Sequence, residues 1–110
     1  MQYLGIPYRW GGESSSGFDC SGLVYAVYKE NGIELNRIAQ DMYYNGTNVS
    51  IKHMKPGDIV YFGSSVYNIE HVGIYAGNNT IIHSSYGDMV RIESLSELTG
   101  LRLVAARRVL

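Results

Sequence analysis

"MKPGDIVYFG", residues 54–63, is where the chain changes character. Pro56, Gly57 and Asp58 supply the chemistry of a tight turn: a preset φ, a residue at ease with positive φ, and a side chain that bonds its own backbone. The run "IVYFG" that follows is largely apolar, as a central strand would be. Downstream, "HVGIYAG" (residues 71–77), "TIIHSS" (80–85), "MVRIES" (89–94) and "LRLVAARRV" (101–109) read as further strands. Turns at "GNN" and "YGD" separate the first three of these. A short helical turn is expected near Leu95 to Leu98.

Upstream the period is helical. In "DCSGLVYAVYKENG", residues 19–32, Leu23, Val24, Val27 and Tyr28 recur at helix spacing, Asp19 stands at an N-cap position and Gly32 is a stop signal. A second short helix is expected over residues 37–44, with a turn at 45–48. Residues 7–18 hold the punctuation of a loop, and residues 1–6 read as the last turn of a helix. Helices first and a meander second give an α+β layout with an antiparallel sheet.

A chain of 110 residues makes one domain, residues 1–110. With 45% hydrophobic residues and a formal net charge of −1, it is a globular domain with no electrostatic case for nucleic acid. No apolar run is long enough for a membrane span, and no export signal is legible at the N-terminus, so any such signal is expected outside this chain.

Cys20 is the single cysteine, so it forms no internal disulfide and leaves packing or reactivity as its use. The expected helix puts it in the first turn, where the positive end of the dipole lowers a thiol pKa. Its neighbours Asp19, Ser21 and Gly22 are poor company for a core position, although free cysteines are often buried. The chain has three histidines, His53, His71 and His83. An imidazole near a thiol can take its proton and later return one to a leaving group. With a three-residue loop over residues 77–79, Ala76 pairs with Thr80, Gly73 faces His83, and His71 lies diagonal to His83 on the same face. A two-residue turn sends the histidines to opposite faces instead. His53, in the polar "IKHMK", reads as a surface residue. A zinc site built from Cys20, His71 and His83 is a chemically possible alternative.

In order along the chain, "PYRWGG" (residues 7–12), "FDCSGLV" (18–24), "KPGDIVYF" (55–62), "HVGIYAG" (71–77) and "IIHSS" (81–85) resemble the NlpC/P60 family of bacterial cell-wall cysteine peptidases. The resemblance implies an α+β, papain-like fold with N-terminal helices packed on a central antiparallel β-sheet. By resemblance, Cys20 is the nucleophile, His71 the general base and His83 the third polar residue. Tyr8 and the backbone N–H of Cys20 would hold the oxyanion, and Asp19, Ser21 and Arg37 would contact substrate. The chain departs from many members at Ala39, where a serine is common, and in having little sequence ahead of "PY".

The resemblance also implies the substrate, a peptidoglycan stem peptide. The expected cut is the bond from the γ-carboxyl of D-Glu to the following diamino acid, with an amidase cutting before L-Ala as the alternative. It implies no cofactor and no metal. The implied location is extracellular or in the cell wall, and the implied partners include other domains of a larger wall hydrolase. A non-catalytic wall-binding domain of the same fold is a reading of a different class, and binding alone needs none of Cys20, His71 and His83. The tyrosines, 10 in number, and the basic Arg102, Arg107 and Arg108 suit a polar groove or an anionic polymer, but serve equally as strand and surface residues.

Overall fold

The computed structural model describes residues 13–14, 17–18, 20–84, 90–95 and 102–109. Tyr8, Asp19, the expected helix remnant at residues 1–6 and the "YGD" turn lie outside them. Ten named elements are enough to follow the chain: strands β1 (Glu13–Ser14) and β2 (Gly17–Phe18), helices α1 (Cys20–Glu30) and α2 (Ala39–Met42), and strands β3 (Thr47–Val49), β4 (Ile59–Ser65), β5 (Asn68–Gly77), β6 (Thr80–Ser84), β7 (Val90–Ser94) and β8 (Leu103–Arg108). A turn of 3₁₀ helix, Ile51–His53, precedes the Pro-Gly turn, and His53 on it is exposed as expected.

The main sheet has six antiparallel strands in the order β3-β8-β4-β5-β6-β7. The expected meander holds from β4 to β7. The C-terminal strand then returns to pair with β4, with Val60 opposite Ala106, instead of extending the sheet beyond β7. Two further expectations are corrected. Residues 47 and 48, read as part of a turn, form with Val49 an edge strand paired with β8, an outcome of tertiary pairing that a short polar run does not announce. Within the stretch read as loop, β1 and β2 make a two-residue antiparallel ribbon.

The turn at residues 55–58 is fixed from several sides. The Asp58 carboxylate accepts from the Lys55 N–H at 2.8 Å and from Nε and Nη2 of Arg108, each also at 2.8 Å. Burial by itself would raise the Asp58 pKa; the guanidinium and the Lys55 N–H outweigh it and hold the carboxyl below its usual range. The Tyr28 hydroxyl donates to the Gly57 carbonyl, tying α1 to the same turn. Burial, with the Asp58 charge nearby, pushes the Tyr28 phenol up to about 12.

The apolar run of β4, expected as a central strand, is central and buried on both faces. Ile59 and Tyr61 join Val24 and Tyr28 of α1, Leu35, Met42, Val72 and Ile74 in one buried cluster. Val60 and Phe62 join Ile81 and Ala106 in another, against which Met54, Tyr75, Leu95 and Leu103 pack. Leu23 of α1 packs with Ile82 of β6. Burying one such aliphatic side chain contributes about 1.5–3 kcal/mol, so this stripe of α1 sets where its first residue lies.

The second helix is one turn, Ala39–Met42, rather than the expected eight residues. Ile38 is extended at φ −92° and ψ 137°, so the helix starts after it, and no side chain caps the N-terminus. Gln40 anchors this turn to the β4–β5 hairpin: its amide donates to the Val66 carbonyl at 2.7 Å and its oxygen accepts from the Ile69 N–H at 2.8 Å.

Candidate active site

Cys20 is the first residue of α1, half-buried and in no disulfide. Its side chain packs against the cluster that holds Val24, Tyr28, Val72 and Ile74. Ser21 beside it is buried, and its Oγ accepts from Nη1 of Arg37 at 2.8 Å. The sequence candidates Ser21 and Arg37 are therefore brought together across 16 residues of chain. Nothing in the sequence spacing announced that pairing.

His71 and His83 are also brought together. They sit on neighbouring strands β5 and β6, are 8% and 1% exposed, and have Nε2 of His71 at 2.8 Å from Nδ1 of His83. The two rings stand nearly perpendicular, at 86°, with centroids 5.0 Å apart. Phe62 covers His71 from β4, ring centroids 5.8 Å apart.

The register that permits this is reached by a route the sequence reading did not anticipate. The loop is two residues, Asn78 and Asn79, both at positive φ (52° and 62°), between the paired Gly77 and Thr80. Alone, such a turn would place the histidines on opposite faces. A bulge between Tyr75 and Gly77 absorbs the extra residue and restores the pairs Tyr75 with Ile81 and Ile74 with Ile82. Gly73 then falls beside His83, as expected: a Cβ on Gly73 would lie 3.2 Å from Cβ of His83 and 3.1 Å from the Ile82 carbonyl oxygen. Gly77, at φ 85°, supplies the left-handed backbone that the bulge needs.

Burial and the neighbouring His83 together push the His71 pKa down to about 4. His71 is therefore a neutral imidazole near neutral pH, in the protonation state a general base requires.

One partner was missed in the sequence. Oε1 of Glu93, on β7, lies 2.9 Å from Nε2 of His83. Ile81 pairs with Glu93 and His83 with Arg91, so Glu93 lies diagonal to His83 on the same face. Alternation along "MVRIES" puts Glu93 on one face with Arg91, but the sequence did not say which face, because that depends on the connection from β6 to β7. Among the described residues, no group of three or more His, Cys, Asp and Glu is placed to hold a metal ion, and no helix is long and apolar enough to cross a membrane.

The NlpC/P60 family pattern matches residues 5–108. The chain is 40% identical over 110 residues to the γ-D-glutamyl-L-lysine dipeptidyl-peptidase of Bacillus subtilis strain 168, an alignment covering 96% of this chain and 37% of that protein. It is 44% identical over 117 residues to the murein DD-endopeptidase MepH of Escherichia coli strain K12, covering 100% of this chain and 43% of that one. It thus spans less than half the length of either relative. The crystal structure of an NlpC/P60 family protein from Bacillus cereus ATCC 10987 superimposes with a TM-score of 0.92 at 34% identity, over 98% of this chain and 37% of the other. With the match running over almost its whole length, the chain belongs to the NlpC/P60 family.

Proposed function

We propose that this domain is a cysteine peptidase that hydrolyses peptidoglycan stem peptides, with Cys20 as nucleophile, His71 as general base and His83 as the residue that orients it. The observation that carries the reading is the buried His71–His83 contact of 2.8 Å, on strands packed against the helix that starts at Cys20. Two contacting imidazoles inside a sheet are a costly way to fill a core and a direct way to hold a base. The names of the two curated relatives, both peptidases and one of murein, support the substrate class. In this reading α1 and the sheet form the two sides of a papain-like site, and the protein acts outside the cytoplasm, where peptidoglycan is found.

The chemistry is acyl transfer in two halves. The Cys20 proton passes to His71 as Sγ bonds to the scissile carbonyl carbon. Tyr8 and the Cys20 backbone N–H, at the positive end of α1, hold the developing oxyanion. The C–N bond breaks, His71 delivers its proton to the departing amine, and an acyl thioester remains on Cys20. Water then attacks the thioester with His71 as base, releasing the acid and restoring the thiol.

Arg37, with Ser21 held at 2.8 Å, offers a positive charge and a hydroxyl to the carboxylates of a stem peptide. Asp19 offers the opposite charge to a free L-Ala amine. An ammonium on one side and a carboxylate on the other fit a cut at the γ-D-glutamyl to diamino acid bond. Digestion of defined muropeptides, read by mass spectrometry, tests the reading. Release of L-Ala-D-Glu is the expected product, whereas intact stem peptides with a newly freed L-Ala would replace it with the amidase. Binding to peptidoglycan with no fragment released by fully reduced protein would replace it with a wall-binding role.

A further inference from the structure

His83 is 1% exposed and has both ring nitrogens in contact, Nδ1 with Nε2 of His71 at 2.8 Å and Nε2 with Oε1 of Glu93 at 2.9 Å. A neutral imidazole carries one N–H and one bare lone pair, so the partner at one end of the ring dictates what the other end can do. An ionised carboxylate only accepts. The Glu93 oxygen therefore requires the proton on Nε2 of His83, which leaves Nδ1 of His83 as an acceptor. The His71 proton must then lie on its own Nε2, donated to His83, and the lone pair of His71 is left on Nδ1.

We infer that Glu93 is a positioning residue of the site: by accepting the Nε2–H of His83 it sets the tautomers of both imidazoles and leaves Nδ1 of His71 as the basic nitrogen. As a statement about tautomers this stands on the contacts of His71, His83 and Glu93 alone; as a statement about catalysis it rests on the peptidase reading given above. With its side chain 19% exposed, Glu93 stays reachable by water, while His83, at 2% by side chain, does not. The carboxylate thus lies at the edge of the buried region, and through His83 its charge favours the imidazolium formed when His71 takes the thiol proton. No proton needs to leave His83 for this to work. Glu93 acts by accepting and by its charge.

Replacing Glu93 by Ala removes the acceptor, and His83 can then also take the Nδ1–H form, which turns a donor toward His71 and moves the His71 proton to Nδ1. Glu93→Gln keeps an amide oxygen that accepts the same N–H and removes the charge. The test is ¹⁵N NMR of the imidazole rings in the reduced full chain at neutral pH, with kcat and KM measured on a defined stem peptide. Wild type is expected to show the Nε2–H tautomer at both His71 and His83. Glu93→Ala is expected to lose it at His83 and to lower kcat by about 10- to 100-fold, the span a charge-assisted hydrogen bond covers, with KM little changed. Glu93→Gln is expected to keep the tautomer and to retain more of kcat than Glu93→Ala. A wild-type His83 found as Nδ1–H overturns the inference without any variant, and so does a Glu93→Ala protein whose tautomers and kcat match wild type. If wild type cuts no stem peptide while Glu93→Ala still shifts the His83 tautomer, the positioning role stands and the peptidase reading falls.

Discussion

His71 is costly to bury, and its burial suits the role of base proposed for it. Burial and the neighbouring His83 hold its pKa near 4, against about 6.5 for a histidine in an unfolded chain. Between those two values the unfolded chain binds a proton at this position that the folded one does not. Stability from this residue is therefore complete above about pH 6.5 and is lost as the pH falls toward 4, by about 3 kcal/mol in all. Urea titrations of wild type and His71→Asn between pH 7 and 4 should show a steeper decline for wild type; parallel declines would remove the depressed pKa. The acid limb of kcat/KM should likewise fall below the usual histidine value, since the base stays deprotonated there. The roles proposed for Cys20, His71 and His83 were readable as expectations, from residue type and from the family resemblance. Glu93 was not, because an acidic residue on a short strand is ordinary until its face is known.

Strand β5 is bulged at both ends, and the regular stretch between the bulges carries His71. At one end lies the Tyr75/Gly77 bulge that compensates the two-residue turn. At the other, pairing jumps from Phe62 with His71 to Gly63 with Ile69, leaving Glu70 unpaired in the ladder. The backbones approach so closely there that a Cβ on Gly63 would fall 2.1 Å from the Asn68 carbonyl oxygen. Gly63→Ala cannot be accommodated by turning a side chain, so the strands must move apart. A loss of about 2 kcal/mol or more is expected in urea or thermal unfolding, together with a drop in activity, because the bulge is next to the Phe62–His71 pair. An alanine variant as stable and as active as wild type would show that the bulge does not locate His71. The sequence reading reached the right face for His83 with a three-residue loop, and the chain reaches it with two residues and a bulge. A period-two pattern records which face a residue takes but not how the turn accounts for the count.

The start of the strand run at residues 54–63 was legible, because turn chemistry and an unbroken apolar run coincide there; the short strands β1, β2 and β3 ahead of it were not. The return of β8 to the middle of the sheet, beside β4, was not. Ala105 and Ala106 are small and buried there, at 6% and 0% exposure, and a pair of alanines carries no signature of its partner. The outcome is a sheet closed over on both faces, with α1 on one buried cluster and the Val60, Phe62, Ile81 and Ala106 cluster on the other. On this frame the proposed chemistry turns on the thiol at the start of α1 as the group that attacks. The rate at which folded Cys20→Ala hydrolyses a defined stem peptide, beside reduced wild type, tests it most directly. A loss of about a thousandfold or more is expected, as when a covalent nucleophile is removed. A Cys20→Ala protein that cuts within tenfold of the wild-type rate would contradict it.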